Sequence, residues 1–169
     1  LALIARELPP LPAALAERLI RVVGAHPMAL QIALGDLNPA DPPGEWAAAI
    51  EQIADRLARG LGVDPTTLDD IAPQRRLEAI FAYSYQALAP WPALQRCFRA
   101  LGSLAPEAPF ATAAVAAILD TPEGEVRGLL KTLRDRNLLR RPEPDRWQQH
   151  TLLRAYALEQ QSPAERLSW

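Results

Sequence analysis

The chain has 169 residues, 49% of them hydrophobic and 22% charged, with a formal net charge of −2. That length and apolar content can bury a sizeable core in one large domain or two small ones, which excludes a disordered chain. The near-neutral balance gives the chain as a whole no field to draw in nucleic acid or an anionic membrane surface, and a lone cysteine, Cys97, excludes an internal disulfide and a cysteine-rich metal site.

Leu and Ala dominate over eight glycines, which favours helices over strands. The 17 prolines fall mostly between periodic segments, where they punctuate rather than break. No apolar run approaches the length of a membrane span and no secretory signal opens the chain. A cytoplasmic protein without membrane contact is expected. The sequence starts without Met and stops in "ERLSW", so it reads as a piece of something longer.

In chain order, Leu11 to Val23 predicts a helix with Leu15, Leu19 and Val22 on one stripe. Pro27 fits the first position of a second short helix, where its missing N–H costs nothing. "NPADPPGE", residues 38–45, is a loop that ends it. Trp46, Ile50, Ile53 and Leu57 recur at i, i+4, i+7 and i+11 and predict a third helix that ends near Gly60. These helices make a small all-α domain over residues 1–62. Residues 63–73 carry no long period and read as a linker.

From there Leu77, Ile80, Phe81, Ser84 and Leu88 mark another amphipathic helix, interrupted by "APWP". Trp91, Leu94, Phe98 and Leu101 carry the next, with Cys97 on its apolar face as a buried thiol. Ala111 to Leu119 is a shorter apolar helix. Thr121, Pro122 and Glu123 supply a cap, a first-turn proline and a first-turn acid to a helix whose buried face is Val126, Leu129, Leu130 and Leu133. "LLRRPEPDRWQQ" then reads as a β-hairpin about a Pro-Glu-Pro-Asp turn, with Leu138, Leu139 and Trp147 packing inward. It delivers the chain to His150 and a final helix carrying Leu153, Tyr156 and Ala157. The expected fold is therefore mainly α: a small helical bundle, then a winged-helix domain over 74–162 with a short β-hairpin wing, and a tail over 163–169.

Winged-helix modules often place their cap-and-proline helix in the DNA major groove. Here that helix carries Arg127, Lys131 and Arg134, then Arg136, with Arg140 and Arg141 beyond it. Phosphate contact needs such a basic face. Glu123, Glu125, Asp135, Glu143 and Asp145 lie on the same helix and wing, so a mixed-charge solvated face competes with contact to DNA or a partner. Catalytic constellations are poor: Cys97 faces the core, there is no Gly-x-Ser-x-Gly, and no histidines or acids cluster at metal-ligand spacing. No catalytic residue and no metal ligand is assigned. The two histidines each stand at the mouth of a helix, His26 before Pro27 and His150 before Thr151. Taken alone, His26 is no more than a polar capping residue.

Their context points further. "VVGAHPMALQIA" resembles the GLPLAL segment of the STAND-class nucleotide switches, the NB-ARC ATPases, in the GxHPLAL form of bacterial members. "EWAAAIEQIADRL" is similar to the Trp-containing helix that closes that family's small helical domain. "RRLEAIFAYSYQAL", with its Ser84–Tyr85 pair, resembles the helix that opens its winged-helix domain. "RCFRALGSLAPEAPF" and "LLKTLRDRNLLRR" are similar to the pieces that follow, and "QQHTLLRAYALE" resembles the segment around the family's Met-His-Asp motif. The likeness runs over nearly the whole chain, in the family's order.

The resemblance implies the regulatory lid half of an ADP/ATP-dependent signalling switch, of a kind that acts in signalling or transcriptional control. In it, Pro27 would pack on the adenine or ribose and His150 would reach the β-phosphate of ADP. A rigid proline ring offers a base an apolar surface, and an imidazole donor reads a phosphate. The pair would tie the two domains into a closed form that exchange for ATP releases. Nothing here resembles G-x-x-x-x-G-K-[ST], so the phosphate cradle and the magnesium would belong to an upstream P-loop domain and this piece alone would not be catalytic. A downstream repeat domain and a nucleotide-dependent homo-oligomer are implied too. One departure stands out: Gln149-His150-Thr151 replaces Met-His-Asp. The alternatives are a DNA-binding winged-helix transcriptional regulator, whose N-terminal helices dimerise, and an interaction scaffold without nucleotide.

Overall fold

A computed structural model describes residues 12–169 apart from 25, 36, 38–41 and 107. Leu11 of the first expected helix and the first half of the 38–45 loop, residues 38–41, lie outside the described residues. The chain divides into two compact units, one ending at Gln86 and the other running Ala87–Trp169.

In the first unit, α1 (Ala13–Val23) buries Ala16, Leu19, Val22 and Val23, with Leu15 half-buried at the edge of the stripe. α2 (Pro27–Leu34) is apolar almost all round and is buried accordingly at Met28, Ala29, Leu30, Ile32, Ala33 and Leu34. α3 (Pro43–Leu61) packs on α1 and buries Trp46, Ile50, Ile53 and Leu57, as their spacing predicts. It stops where Gly62 adopts the left-handed conformation, φ 69°, and the Val63 N–H turns back to the Ala58 carbonyl at 3.0 Å. Across the unit, the Arg18 guanidinium donates in a fork to the Glu51 carboxylate on α3, at 2.9 and 2.8 Å.

The stretch after α3 is more ordered than its lack of period suggests. Asp64 caps a 3-10 turn, Pro65–Asp70, that sinks Leu68 into the core. α4 (Pro73–Gln86), expected in the winged-helix domain, packs instead on α2 and α3 and completes the first unit. Its buried face adds Arg76 to Leu77, Ile80, Phe81 and Ser84. Leu88, expected on this helix, lies in the turn beyond its end and is fully buried there.

In the second unit, α5 (Pro92–Leu101) buries Leu94, Cys97, Phe98, Ala100 and Leu101. Trp91, expected on that apolar face, is instead the residue before the helix; it is 50% exposed, with the Arg136 guanidinium stacked over its ring at 5.0 Å. A two-residue strand, β1 (Phe110–Ala111), leads into α6 (Thr112–Leu119). Ala111 thus belongs to a strand rather than to the helix. α7 (Glu123–Asp135) buries Val126, Leu130 and Leu133, with Leu129 half-buried. Its cap position falls on Pro122, without a side-chain bond; the Thr121 hydroxyl, expected to cap α7, donates backwards to the Leu119 carbonyl at 3.1 Å.

The wing is β2 (Arg140–Glu143) and β3 (Arg146–Gln148), with Leu138, Leu139 and Trp147 buried. β1 adds a third strand that the sequence reading lacks, giving an antiparallel sheet of order β1-β3-β2 with Phe110 opposite Trp147 and Arg140 opposite Gln148. Pro142 can sit in β2 because that strand is an edge. α8 (Thr151–Glu159) follows, buried at Leu153 and Ala157, with Tyr156 half-buried. The residues read as a tail close with a short helix, α9 (Pro163–Ser168), which carries a full capping box between Ser162 and Glu165. The fold is mainly α with a β-hairpin wing. Among the described residues no helix is long and apolar enough to cross a membrane.

Candidate functional site

The wing and α8 build one small site together. His150 holds the cap position of α8 in an extended conformation, and its Nδ1 accepts the Leu152 N–H at 3.2 Å. That bond satisfies one of the unpaired first-turn donors and assigns the ring proton to Nε2, which is left as the donating nitrogen. The residue is exposed. Beside it, Arg140, Gln148, Gln149 and Thr151 complete the lining of a concavity of about 390 Å³. The antiparallel register sets Arg140 of β2 directly across from Gln148 of β3. A guanidinium, an imidazole and the N-terminal end of a nine-residue helix therefore converge on one space, an arrangement suited to an anion.

Gln149 is the anomaly in this site. Only 5% of it is exposed, and neither its amide nitrogen nor its amide oxygen has a hydrogen-bond partner. Buried polar groups are nearly always bonded, so an orphaned amide calls for a reason. Sequence reading marked Gln149 only as a departure from Met. The missed signal is its place: two residues after the inward Trp147, on the inward side of a strand's alternation.

Pro27 lies in the other unit, exposed at the first position of α2. Before it, His26 is extended, as a residue preceding proline must be, at φ −83° and ψ 121°. Its side chain makes no cap bond; its ring is half-buried with Nδ1 out of solvent and unpartnered, and only its carbonyl serves the helix, accepting from the Leu30 N–H at 3.1 Å. The reading of His26 as a side-chain cap is thereby corrected. Nearby, the buried Arg76 guanidinium donates to the Arg21 carbonyl at 2.8 Å and stands 3.8 Å from Asp69. It underlies Gly24, whose φ of 77° and ψ of 159° are open essentially only to glycine.

The three basic candidates share α7. Arg127 reaches Asp145 of the wing turn at 3.3 Å, Arg134 is bound to its neighbour Asp135 at 2.6 Å, and Lys131 is exposed between them. Asp145 also accepts from the Thr112 hydroxyl at 2.7 Å, and that hydroxyl accepts the buried Trp147 indole N–H at 3.0 Å. The charges of this face are thus spent in part on holding the wing to α6 and α7. Cys97 is inert as a nucleophile, since burial pushes its thiol up to about 12. Among the described residues no group of three or more His, Cys, Asp or Glu could hold a metal ion.

By architecture the second unit is a winged-helix module with its wing against an anion-suited pocket. No family model and no solved structure matches the chain. It is similar to the regulatory protein AfsR of Streptomyces coelicolor, with 36% identity over 140 residues that cover 80% of this chain. The match takes in only 13% of that protein's length. The likeness thus concerns a small part of the relative.

Proposed function

We propose that this chain is part of a larger cytoplasmic regulator and works there as the lid of an ADP/ATP switch, in which His150 reads a phosphate of the nucleotide and Pro27 meets its base. The observation that carries the reading is the pocket at the mouth of α8, where Arg140, an imidazole with Nε2 as donor, and the helix end surround a space of about 390 Å³. An upstream P-loop domain would supply the phosphate cradle and magnesium, and this chain's residues would hold the nucleotide and report its state. The test uses the full-length protein that carries this chain, purified without added nucleotide, denatured, and its released small molecules identified. Stoichiometric ADP that is lost on His150→Ala supports the reading. A well-folded protein that releases none overturns it.

A second reading is a DNA-binding winged-helix transcriptional regulator. The likeness to a regulatory protein favours regulation in general and sits closer to this reading than to nucleotide sensing. The local geometry pulls the other way, because Arg127 and Arg134 are already paired with acids and Glu123 and Glu125 stand in the first turn of α7. Salt-dependent duplex binding that weakens on Lys131→Ala and Arg127→Ala would carry this reading.

A further inference from the structure

The mouth of α8 holds a polar group that the protein itself does not satisfy. Gln149 is 95% buried by its 5% exposure, both ends of its amide lack partners, and the residue lines the concavity it shares with Arg140 and His150. Leaving a buried amide unpaired costs free energy, and an apolar residue of similar length would avoid the cost. An unpaired buried amide on a residue that lines an anion-suited pocket has the signature of a binding residue.

We propose that the Gln149 amide is a second reader of the terminal phosphate of a nucleoside diphosphate. Its side chain turns so that Nε2–H donates to one phosphate oxygen while His150 Nε2–H and the end of α8 take others. The amide oxygen is left to water that such an anion carries. This rests on the nucleotide reading above and adds a residue to it. It also gives the Gln149-His150-Thr151 sequence a physical sense: the amide supplies a phosphate contact of its own, from a position where methionine could supply none. AMP, which lacks the second phosphate, should not feel the residue.

The experiment titrates ADP and AMP into the nucleotide-free full-length protein and its Gln149→Met and His150→Ala variants, and follows the thermal midpoint of each without ligand. Gln149→Met should weaken ADP about tenfold, leave AMP unchanged, and raise the unliganded midpoint. The opposite signs matter, because a structural role would lower stability and affinity together. If ADP binds and depends on His150 but Gln149→Met leaves its affinity unchanged, the role of Gln149 falls and the nucleotide reading stands. A lowered unliganded midpoint shows that the amide is satisfied inside the protein and overturns the proposal. If the parent binds neither nucleotide, both readings fall.

Discussion

Thr112 is fully buried and has both of its hydrogen-bonding roles filled, donating to Asp145 and accepting from the Trp147 indole. Replacing it with valine keeps the shape, removes both bonds and leaves a buried N–H unpaired. The expected cost is about 1–3 kcal/mol, read as a lower urea midpoint with the m-value unchanged. Gly102 is sensitive for a different reason. A Cβ built there would stand 2.6 Å from the Leu158 backbone nitrogen and 2.8 Å from its Cα, so α5 and α8 must separate to admit alanine. Gly102→Ala should cost about 1–3 kcal/mol by the same measurement, while alanine at Gly128, which meets nothing, should be neutral or stabilising. The inward direction of Trp147 was legible from alternation and size. Its polar anchor was not, because the pairing joins residues 35 apart that no local pattern connects. His150 was legible from its motif context, whereas Gln149 became a site residue only once its burial was seen.

At the level of elements, α9 is held through one carboxylate. Glu165 accepts the Ser162 N–H at 2.9 Å, closing the capping box, and takes a fork from Arg99 of α5 at 2.6 and 3.0 Å. Gln161 adds a bond from its amide to the Arg99 carbonyl at 2.7 Å. Burial pushes the Glu165 carboxyl up, but the bonds from Arg99 and Ser162 outweigh it and hold the group below its ordinary value of 4.5. A carboxylate lowered in the folded state stabilises it fully above the ordinary value and loses that effect as the pH falls through the lowered one. Amide exchange in α9 should therefore speed up, relative to the rest of the unit, once the pH drops below about 4.5. Glu165→Gln should exchange faster already at neutral pH and show no such dependence. This helix was written in the sequence, since Ser162-Pro-Ala-Glu165 is a capping signature with proline at its first position. It was overlooked because six residues carry too few apolar positions to show a period. β1 was hidden for a stronger reason: two residues have no alternation at all, and only pairing with β3 makes them a strand.

For the molecule as a whole, the mainly helical class and the winged second half could be read from periodicity and turn residues, since long amphipathic segments repeat their signal many times over. The place of Pro73–Gln86 could not. Its apolar stripe says that it packs, and only its contacts with α2 and α3 say where. One consequence follows for how the halves can be watched. Trp46 is the first unit's single tryptophan and is 5% exposed, while Trp91, Trp147 and Trp169 all belong to the second. Emission from a form whose other three indoles are replaced by Phe would track the first unit alone, and a Trp46→Phe form would track the second. Within each form, an emission transition that coincides with the far-UV circular dichroism transition would mark a single cooperative unit, and separated ones two halves that unfold independently. The uneven placing of four rings thus gives each half its own optical signal without any added label.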